Sequence, residues 1–200
     1  MDMDRGNGTK LKVLYIHGFN SAGYGEKINH LKKYFGDENV IAPTLPYDPR
    51  KAIKQLEFLV EAIKNKDKLL LVGTSLGGFY ALYLANKYKV PAVLINPSID
   101  PYTSLKNQVG PQINYKSNEE YIFTQQHLDS LKDYYVPEDK QKEIKDLVFV
   151  YLDEDDELLD SKKTAEYFKG KGIYTKMFPG GNHRFTHMPE LLEDLPTKYI

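Results

Sequence analysis

Residues 69–82, which read LLLVGTSLGGFYAL, constrain the fold of this chain more than any other stretch. An apolar run too short for a buried helix reaches Gly73, and residues typical of a helix begin directly after Ser75. We therefore predict a strand, a sharp turn and a helix. Gly73 and Gly77 lack the side chains that would clash where the backbone reverses, so the Ser75 hydroxyl should stand exposed above a sheet. This serine is a candidate nucleophile.

A glycine-rich turn that binds phosphate is the structural alternative for the same segment. A P-loop needs a Lys-Ser or Lys-Thr pair after its glycines, and no such pair follows Gly77 and Gly78. A dinucleotide-binding turn needs a second glycine at the position that Ser75 occupies. The sequence therefore favours a turn that presents a nucleophile.

Length and composition exclude several classes of protein. The 200 residues are within the range of one domain, and no apolar run reaches the length of a membrane span. With a net charge of -1 and lysines spread among acidic residues, we expect neither nucleic acid nor an anionic membrane as a partner. The absence of cysteine excludes disulfides, thiolate nucleophiles and Cys-based metal sites. Residues 1–9 lack an apolar signal core, so we expect a disordered tail, a single domain over residues 10–200 and a cytoplasmic protein.

Predicted strands and helices alternate along most of the chain. The predicted strands are residues 10–17, 40–45, 69–73, 91–95, 147–152 and 174–178. The predicted helices are residues 26–35, 49–63, 76–87, 161–168 and 189–195. This alternation predicts an α/β fold with a mostly parallel, doubly wound sheet of about six strands.

Residues 98–141 interrupt the alternation with a polar, tyrosine-rich and irregular stretch. Only residues 119–132 suggest a helix there. An insertion of this kind in an alternating α/β fold is typical of a lid or cap over the site, so we expect these residues to form one.

Polar residues follow the predicted strands directly, as the chemistry of an open parallel sheet requires. The polar positions that come just after a predicted strand are His17, Ser75, Asn96, the acidic run beginning at Asp153, and His183. Two roles are open for Asn96, a hydrogen bond to the site or simply the end of its strand, and we favour the second. The other positions should meet at one edge of the sheet.

A serine needs a base, and five histidines are available. His183 follows the last strand in a glycine-rich loop, where the backbone can bring an imidazole to the serine. His17 is better placed to brace a loop, and His30 and His127 fall on predicted helices. We therefore predict His183 as the base.

The base needs an acid to orient it, and residues 153–160 (DEDDELLD) offer several. Leu158 and Leu159 should drop back onto the sheet, which would put Asp156 at the loop apex. Asp156 is therefore the predicted acid, with Asp153 and Asp155 as the alternatives.

The order Ser75, Asp156, His183 along the chain is the order found in α/β-hydrolases. A tetrahedral intermediate also needs N–H donors for its oxyanion. We predict the backbone N–H of Leu76, at the start of a helix, and that of Phe19, in the loop after the first strand.

Three of the sixteen tyrosines fall near the predicted site loops. Tyr24, Tyr47 and Tyr102 are expected to line an acyl pocket, although half-buried packing is the ordinary role of such residues.

With these motifs in place, the sequence resembles the YqiA-type esterases, a small α/β-hydrolase family. The matching segments are YIHGFNS at 15–21, GTSLGGFY at 73–80, LINP at 94–97, DELLD at 156–160 and GGNHRF at 180–185. The resemblance implies hydrolysis of carboxylic esters or thioesters by Ser75, Asp156 and His183, without a metal or cofactor. This sequence departs from the family pattern at Asp155, where the family usually has glycine. The similarity also weakens over residues 98–141.

The sequence therefore predicts a serine esterase or thioesterase whose partner is a small-molecule acyl ester or thioester. Two alternatives stay open: an acyltransferase that uses the same acyl-enzyme, and a binding protein on the hydrolase scaffold. The oligomeric state is left open as well.

Overall fold

The computed structural model describes residues 10–196, so the tail predicted for residues 1–9 lies outside the described residues. A six-stranded sheet runs through the centre in the order β2-β1-β3-β4-β7-β8, and every neighbouring pair is parallel. The strands are β1 (Leu11–Ile16), β2 (Val40–Ile41), β3 (Lys68–Thr74), β4 (Ala92–Ile95), β7 (Val148–Asp153) and β8 (Tyr174–Phe178), while β5 (Gly110–Ile113) and β6 (Glu120–Phe123) form a separate hairpin. The predicted doubly wound sheet is confirmed.

Helices cover both faces of the sheet. They are α1 (Glu26–Phe35), α2 (Pro49–Lys64), α3 (Leu76–Tyr88), α4 (Pro101–Ser104), α5 (Gln125–Ser130), α6 (Glu138–Glu143), α7 (Ser161–Lys169) and α8 (Met188–Asp194). Alternate residues of a strand point to opposite faces. In β1, Leu14 and Ile16 therefore belong to the buried cluster that includes residues of α2, α3, α5 and α7, while Val13 and Tyr15 belong to the cluster on the other face, with residues of α1 and α8.

Helix α2 illustrates how local sequence sets these elements. The Asp48 carboxylate accepts a hydrogen bond from the Arg50 backbone N–H at 3.0 Å, and Pro49 occupies the first helical position. Ala52, Ile53 and the apolar residues that follow at helical spacing are buried against the sheet.

The second strand is shorter than its sequence predicts, since residues 42–45 leave the sheet. The backbone N–H of Leu45 donates instead to Nε2 of His17 at 2.9 Å. The segment therefore turns toward the end of β1, where the candidate site lies.

Residues 98–141 are more regular than expected. They contain α4, the antiparallel hairpin of β5 and β6, α5 and most of α6. The helix expected over residues 119–132 is wrong in its first part, where β6 stands, and α5 occupies only Gln125–Ser130. Of the helices among residues 10–196, none is both long and apolar enough to cross a membrane.

Candidate active site

The turn at Ser75 is tight and strained. Ser75 has φ 55° and ψ -119°, a conformation that non-glycine residues seldom adopt. A β-carbon on Gly73 would lie 2.2 Å from the Gly77 carbonyl oxygen, and one on Gly77 would lie 2.0 Å from that of Ile16. The backbones of β1, β3 and α3 therefore touch, and both positions require glycine. A hydrogen bond from the Ser75 N–H to the Ile95 carbonyl, 3.0 Å, fixes the turn against β4.

Ser75, His183 and Asp156 form one continuous set of contacts. Nε2 of His183 lies 3.1 Å from Oγ of Ser75, and Nδ1 lies 2.8 Å and 2.9 Å from the two carboxylate oxygens of Asp156. A carboxylate only accepts hydrogen bonds, so Nδ1 carries the proton and Nε2 is left to accept from the serine hydroxyl. This is the arrangement by which a histidine can act as a general base toward a serine.

The Asp156 carboxylate is held by the backbone around it. Its side chain is 1% exposed, and one of its oxygens accepts the N–H groups of Leu158 and Leu159, each at 2.9 Å. We expected Leu158 and Leu159 to pack back onto the sheet and thereby place Asp156 at the loop apex. This expectation is wrong, because Leu158 does not return to the sheet and is 67% exposed. A turn closed by the carboxylate itself places Asp156 beside the histidine.

A neighbouring acid holds the backbone of the histidine. The Glu157 carboxylate accepts the His183 backbone N–H at 2.9 Å, and this hydrogen bond lowers the pKa of Glu157 below its ordinary value. The loop that carries the predicted base is therefore tied to the loop that carries the predicted acid.

The two alternative acids lie elsewhere. Asp155 is exposed, and its backbone N–H donates to the Gly180 carbonyl at 3.0 Å. Asp153 is fully buried below the histidine loop, and its Oδ1 lies 2.6 Å from Nδ1 of His187. Neither is among the carboxylates that contact His183 within residues 10–196.

Asp153 organises the loop between β8 and α8. Its Oδ2 accepts the backbone N–H groups of Asn182, at 3.1 Å, and Thr186, at 2.7 Å, together with the Thr186 hydroxyl at 3.2 Å. A β-carbon on Gly181, which has φ 78°, would lie 2.0 Å from the same oxygen. The loop therefore wraps around this carboxylate. Sequence reasoning missed this role of Asp153. The position of Asp153 at the buried end of β7 is the signal that could have identified the role.

Asn96 also does more than end β4. Its Oδ1 accepts the Asp153 backbone N–H at 2.9 Å, and its Nδ2 donates to the carbonyls of Asn182 and His183 at 3.0 Å and 3.3 Å. With φ 41°, Asn96 adopts the left-handed conformation that asparagine tolerates better than most residues. The side chain thus links β4, β7 and the histidine loop.

His17 supports the other side of the site. Its Nδ1 lies 2.8 Å from the Gly18 carbonyl and Nε2 accepts from Leu45, so Nδ1 carries the proton of a neutral ring. Burial lowers the pKa of His17, which keeps the ring neutral. A β-carbon on Gly18 would lie 3.2 Å from Cβ of Ser75, so the loop after β1 passes directly beside the serine.

A cavity of about 390 Å³ opens at Ser75. Phe19 and Leu76, whose N–H groups are the predicted oxyanion donors, both line it, and residues of the 98–141 segment form part of its wall. The lining residues are Tyr15, Gly18, Phe19, Asn20, Ser21, Lys27, Thr74, Ser75, Leu76, Ser98, Pro101, Ser104, Leu105, Gln108, Tyr115, Leu158, Leu159, His183 and Arg184.

The three tyrosines expected to line an acyl pocket are not among the described residues that line this cavity. Tyr24 is exposed and donates to the Lys116 carbonyl, and Tyr47 stacks on Tyr121 with ring centroids 4.3 Å apart. Tyr102, within α4, packs on the core, and the Lys132 ammonium lies 3.8 Å from its ring centroid. Tyr24 lines an adjoining cavity, and Tyr47 lines a third cavity together with Phe19 and Leu76, so the substrate-binding role of these tyrosines stays a prediction.

Two other tyrosines, Tyr15 and Tyr115, line the cavity instead. The Tyr15 hydroxyl lies 3.2 Å from that of Thr74, and burial raises the pKa of Tyr15 to about 12. Its position near the carboxyl end of β1, two residues before His17, is the signal that could have identified it.

A family model described as "Uncharacterised protein family (UPF0227)" matches residues 12–197. This chain belongs to that family. A UPF0227 protein of Pectobacterium atrosepticum is 25% identical over 159 residues, which make up 77% of this chain and 80% of the relative. The UPF0227 protein YcfP of Escherichia coli is 24% identical over 159 residues, with the same two coverages. The family resemblance inferred from the motifs is confirmed.

Solved structures share the fold at low sequence identity. Est1E from Butyrivibrio proteoclasticus, described with ferulic acid bound, has a TM-score of 0.73 and 14% identity and covers 96% of this chain and 89% of its own. A lipase-esterase related protein from Clostridium acetobutylicum has a TM-score of 0.66 and 17% identity, with coverages of 97% and 96%. These similarities show that the UPF0227 chain has the α/β-hydrolase fold.

Proposed function

We propose that this chain is a serine hydrolase that cleaves carboxylic esters or thioesters through an acyl-enzyme on Ser75. The observation that carries the proposal is the unbroken set of contacts from Asp156 through His183 to the serine hydroxyl, at 2.8 Å and 3.1 Å. The strained turn and the cavity beside it support the same function. So do solved structures of similar fold, several of which are described as esterases or lipases.

In the first half of the reaction, Oγ of Ser75 attacks the acyl carbonyl while Nε2 of His183 takes the hydroxyl proton. The tetrahedral intermediate then collapses, the bond to the leaving oxygen or sulfur breaks, and His183 gives that proton to the departing alcohol or thiol. Asp156 holds the imidazole in the required tautomer and stabilises its charged form. The product of this half-reaction is an ester on Ser75.

The developing oxyanion needs donors that are already in place. The backbone N–H of Leu76 is at the first position of α3, where the helix dipole favours negative charge. The second donor in this proposal is the N–H of Phe19, in the loop that passes beside Ser75. Each such donor contributes about 3 kcal/mol to transition-state stability in enzymes of this type.

In the second half, His183 takes a proton from water, and the resulting hydroxide attacks the acyl-enzyme. The Ser75–acyl bond breaks, the serine recovers its proton from His183, and the acid leaves. An acceptor alcohol or thiol in place of water would make the same acyl-enzyme a transferase intermediate. Residues 98–141 are the lid of this proposal, since their side chains wall the cavity that receives the acyl group.

A fluorophosphonate probe tests the proposal directly, because it phosphonylates only an activated serine. We expect the folded chain to be labelled and the Ser75→Ala variant to remain unlabelled. Ser117→Ala is the matched control, because Ser117 is exposed in the loop between β5 and β6 and lies outside the cavity. Labelling that persists in Ser75→Ala would contradict the proposal. No labelling of the folded parent chain would also contradict it and would favour a binding protein.

Product analysis distinguishes hydrolysis from transfer. A para-nitrophenyl ester is incubated with the protein with and without added alcohols or thiols. Free acid as the main product at all acceptor concentrations supports hydrolysis. New esters formed in preference to acid would identify a transferase.

A further inference from the structure

A second cavity of about 530 Å³ adjoins the one at Ser75. It lies between the start of α1, the tip of the β5–β6 hairpin and the histidine loop. The walls that it shares with the first cavity are Tyr15, Ser21, Lys27, Tyr115 and Arg184. A substrate whose carbonyl reaches Ser75 can therefore extend into this second space.

The walls of the two cavities are strongly biased toward positive charge. Lys27 and Arg184 line both, and Lys116 lines the second. Among the described residues, no carboxylate lines the cavity at Ser75, and Glu26 is the one carboxylate that lines the second. The chain as a whole has 27 basic and 28 acidic residues, so composition does not explain this local excess.

Within the part of the chain that the structure describes, none of these three cations forms an ion pair with a carboxylate. The ion pairs found among residues 10–196 include neither Lys27, Lys116 nor Arg184. Surface lysines elsewhere in the chain do form such pairs, as Lys32 does with Asp37. A group of unneutralised cations along the wall of a cavity favours an anion in that cavity.

Lys27 is held in this position. Its ammonium donates to the Arg184 carbonyl of the histidine loop. This hydrogen bond keeps the ammonium from moving freely into solvent. The pKa of Lys27 is lowered to about 8, mainly by burial; the nearby Lys116 and Arg184 act in the same direction, and Glu26 and Asp153 oppose them. An anion bound nearby would relieve this unfavourable burial of charge.

The opposite wall is held as well. The Lys116 carbonyl accepts the Tyr24 hydroxyl at 2.8 Å, and the Lys116 ammonium lies 6.0 Å from the centre of the Tyr24 ring. The hairpin is thereby connected across the cavity to Tyr24, two residues before the start of α1. The three cations therefore lie on three elements, α1, the hairpin and the histidine loop, which these hydrogen bonds connect.

We propose that the UPF0227 chain acts on esters that carry a negatively charged group, and that Lys27, Lys116 and Arg184 bind this group next to the catalytic cavity. The inference rests on the proposed hydrolase function and adds to it a class of substrate. A carboxylate on the acyl chain and a phosphate on the leaving group present the same chemistry to these cations, and a pair of substrates distinguishes them.

The experiment compares matched esters by kcat/KM. The first pair is para-nitrophenyl hexanoate and the mono-para-nitrophenyl ester of adipate, which differ in a terminal carboxylate on the acyl side. The second pair is the hexanoate esters of para-cresol and of para-hydroxyphenyl phosphate, which differ in charge on the leaving group. We expect the anionic ester of at least one pair to be preferred by about tenfold, and added salt to reduce that preference.

Charge-removing variants identify the residues responsible. Lys116→Met should lower the preference about fivefold, the scale of a partly exposed ion pair, and Lys27→Met should lower it by at least as much. Lys33→Met is the matched control, because Lys33 is an exposed lysine of α1 outside both cavities, and we expect it to keep the parent preference. Lys116 is exposed, so its variant stays informative even where Lys27→Met disturbs the histidine loop.

Binding to the Ser75→Ala variant keeps the inference separate from catalysis. The affinities of that variant for the esters of each pair are compared without turnover. Tighter binding of the anionic ester supports the inference even if no ester is hydrolysed, which would contradict only the proposed function. Equal affinity and equal kcat/KM within both pairs, or a preference that survives in Lys27→Met and Lys116→Met, would overturn it.

Discussion

Two aspartate–histidine pairs lie in the same part of this molecule, and they differ in what the histidine ring contacts beyond its aspartate. Asp156 and Asp153 each approach Nδ1 of a histidine, His183 at 2.8 Å and His187 at 2.6 Å. Nε2 of His183 continues to a serine that lines a cavity. The His187 ring instead stacks on Phe178, with the centroids 4.9 Å apart and the planes 14° apart.

This difference shows that an acid beside a histidine does not by itself define a catalytic pair. The Asp153 carboxylate is surrounded by donors from the loop it holds, those of Asn182, Thr186 and His187. It stabilises the loop, while Asp156 orients the ring that the loop presents. We infer that the Asp153–His187 pair keeps the backbone of the Asp156–His183 pair in place.

Replacing the two histidines should separate the pairs most strongly. His183→Gln removes the base, and we expect kcat to fall by about 10⁵-fold with little change in thermal stability. His187→Gln removes one hydrogen bond to Asp153 and one stacked ring, so kcat should stay within about tenfold while the unfolding temperature falls. Steady-state kinetics and thermal unfolding of both variants check this, and similar losses of kcat would contradict the distinction.

Asp156→Asn should give the next largest loss of activity. An amide can donate to Nδ1 and so impose the wrong tautomer on His183, which lowers kcat by about 10⁴-fold in serine hydrolases. The amide oxygen can still accept from the N–H groups of Leu158 and Leu159, so we expect the free energy of unfolding to change by about 1 kcal/mol. Kinetics and denaturant unfolding measured on the same sample provide the comparison.

Asp153→Asn should reverse that pattern. The buried carboxylate accepts three hydrogen bonds on one oxygen and faces His187 with the other, and an amide cannot accept on both sides. We expect a loss of about 3 kcal/mol in the free energy of unfolding, and kcat within about tenfold of the parent at temperatures where the variant is folded. A stable variant with kcat reduced as far as in Asp156→Asn would show that Asp153 is the orienting acid.

Asn96 allows a smaller test of how the Asp153–His187 pair supports the Asp156–His183 pair. Asn96→Ala leaves the buried Asp153 N–H without its acceptor and frees the carbonyls of Asn182 and His183, so we expect a loss of about 2 kcal/mol and a fall in kcat of about tenfold. Asn96→Gly is the control for backbone strain, because glycine accepts the φ of 41° without penalty. If the glycine variant recovers full activity, strain and not hydrogen bonding explains the loss.

The sheet and the turn at Ser75 could be predicted because local pattern determines them. Apolar runs of strand length, helical spacing of apolar residues and the glycines at 73 and 77 act within a few residues of each other. The predicted parallel sheet is confirmed, and helix α1 begins and ends where its sequence predicts.

The loops could not be predicted to the same extent, because residues far apart in sequence fix them. Asp153 binds residues 182 and 186, and nothing near Asp153 in the chain indicates those partners. The hairpin was missed because β5, which reads GPQI, has no buried residue and so lacks the alternating apolar face that predicts a strand, although Phe123 of β6 is buried. The cavity-lining Tyr115 and Lys116 were missed for the same reason, since the loop of that hairpin carries them.

The most direct test of the distinction between the two pairs is the rate at which a fluorophosphonate labels Ser75 in the parent chain, Asp156→Asn and Asp153→Asn. We measure it below the unfolding temperature of each variant. We predict a fall of more than about 10³-fold in Asp156→Asn and less than about tenfold in Asp153→Asn, since only the first pair activates the serine. Equal falls in the two variants, or the larger fall in Asp153→Asn, would contradict the assignment of Asp156 and His183 to catalysis.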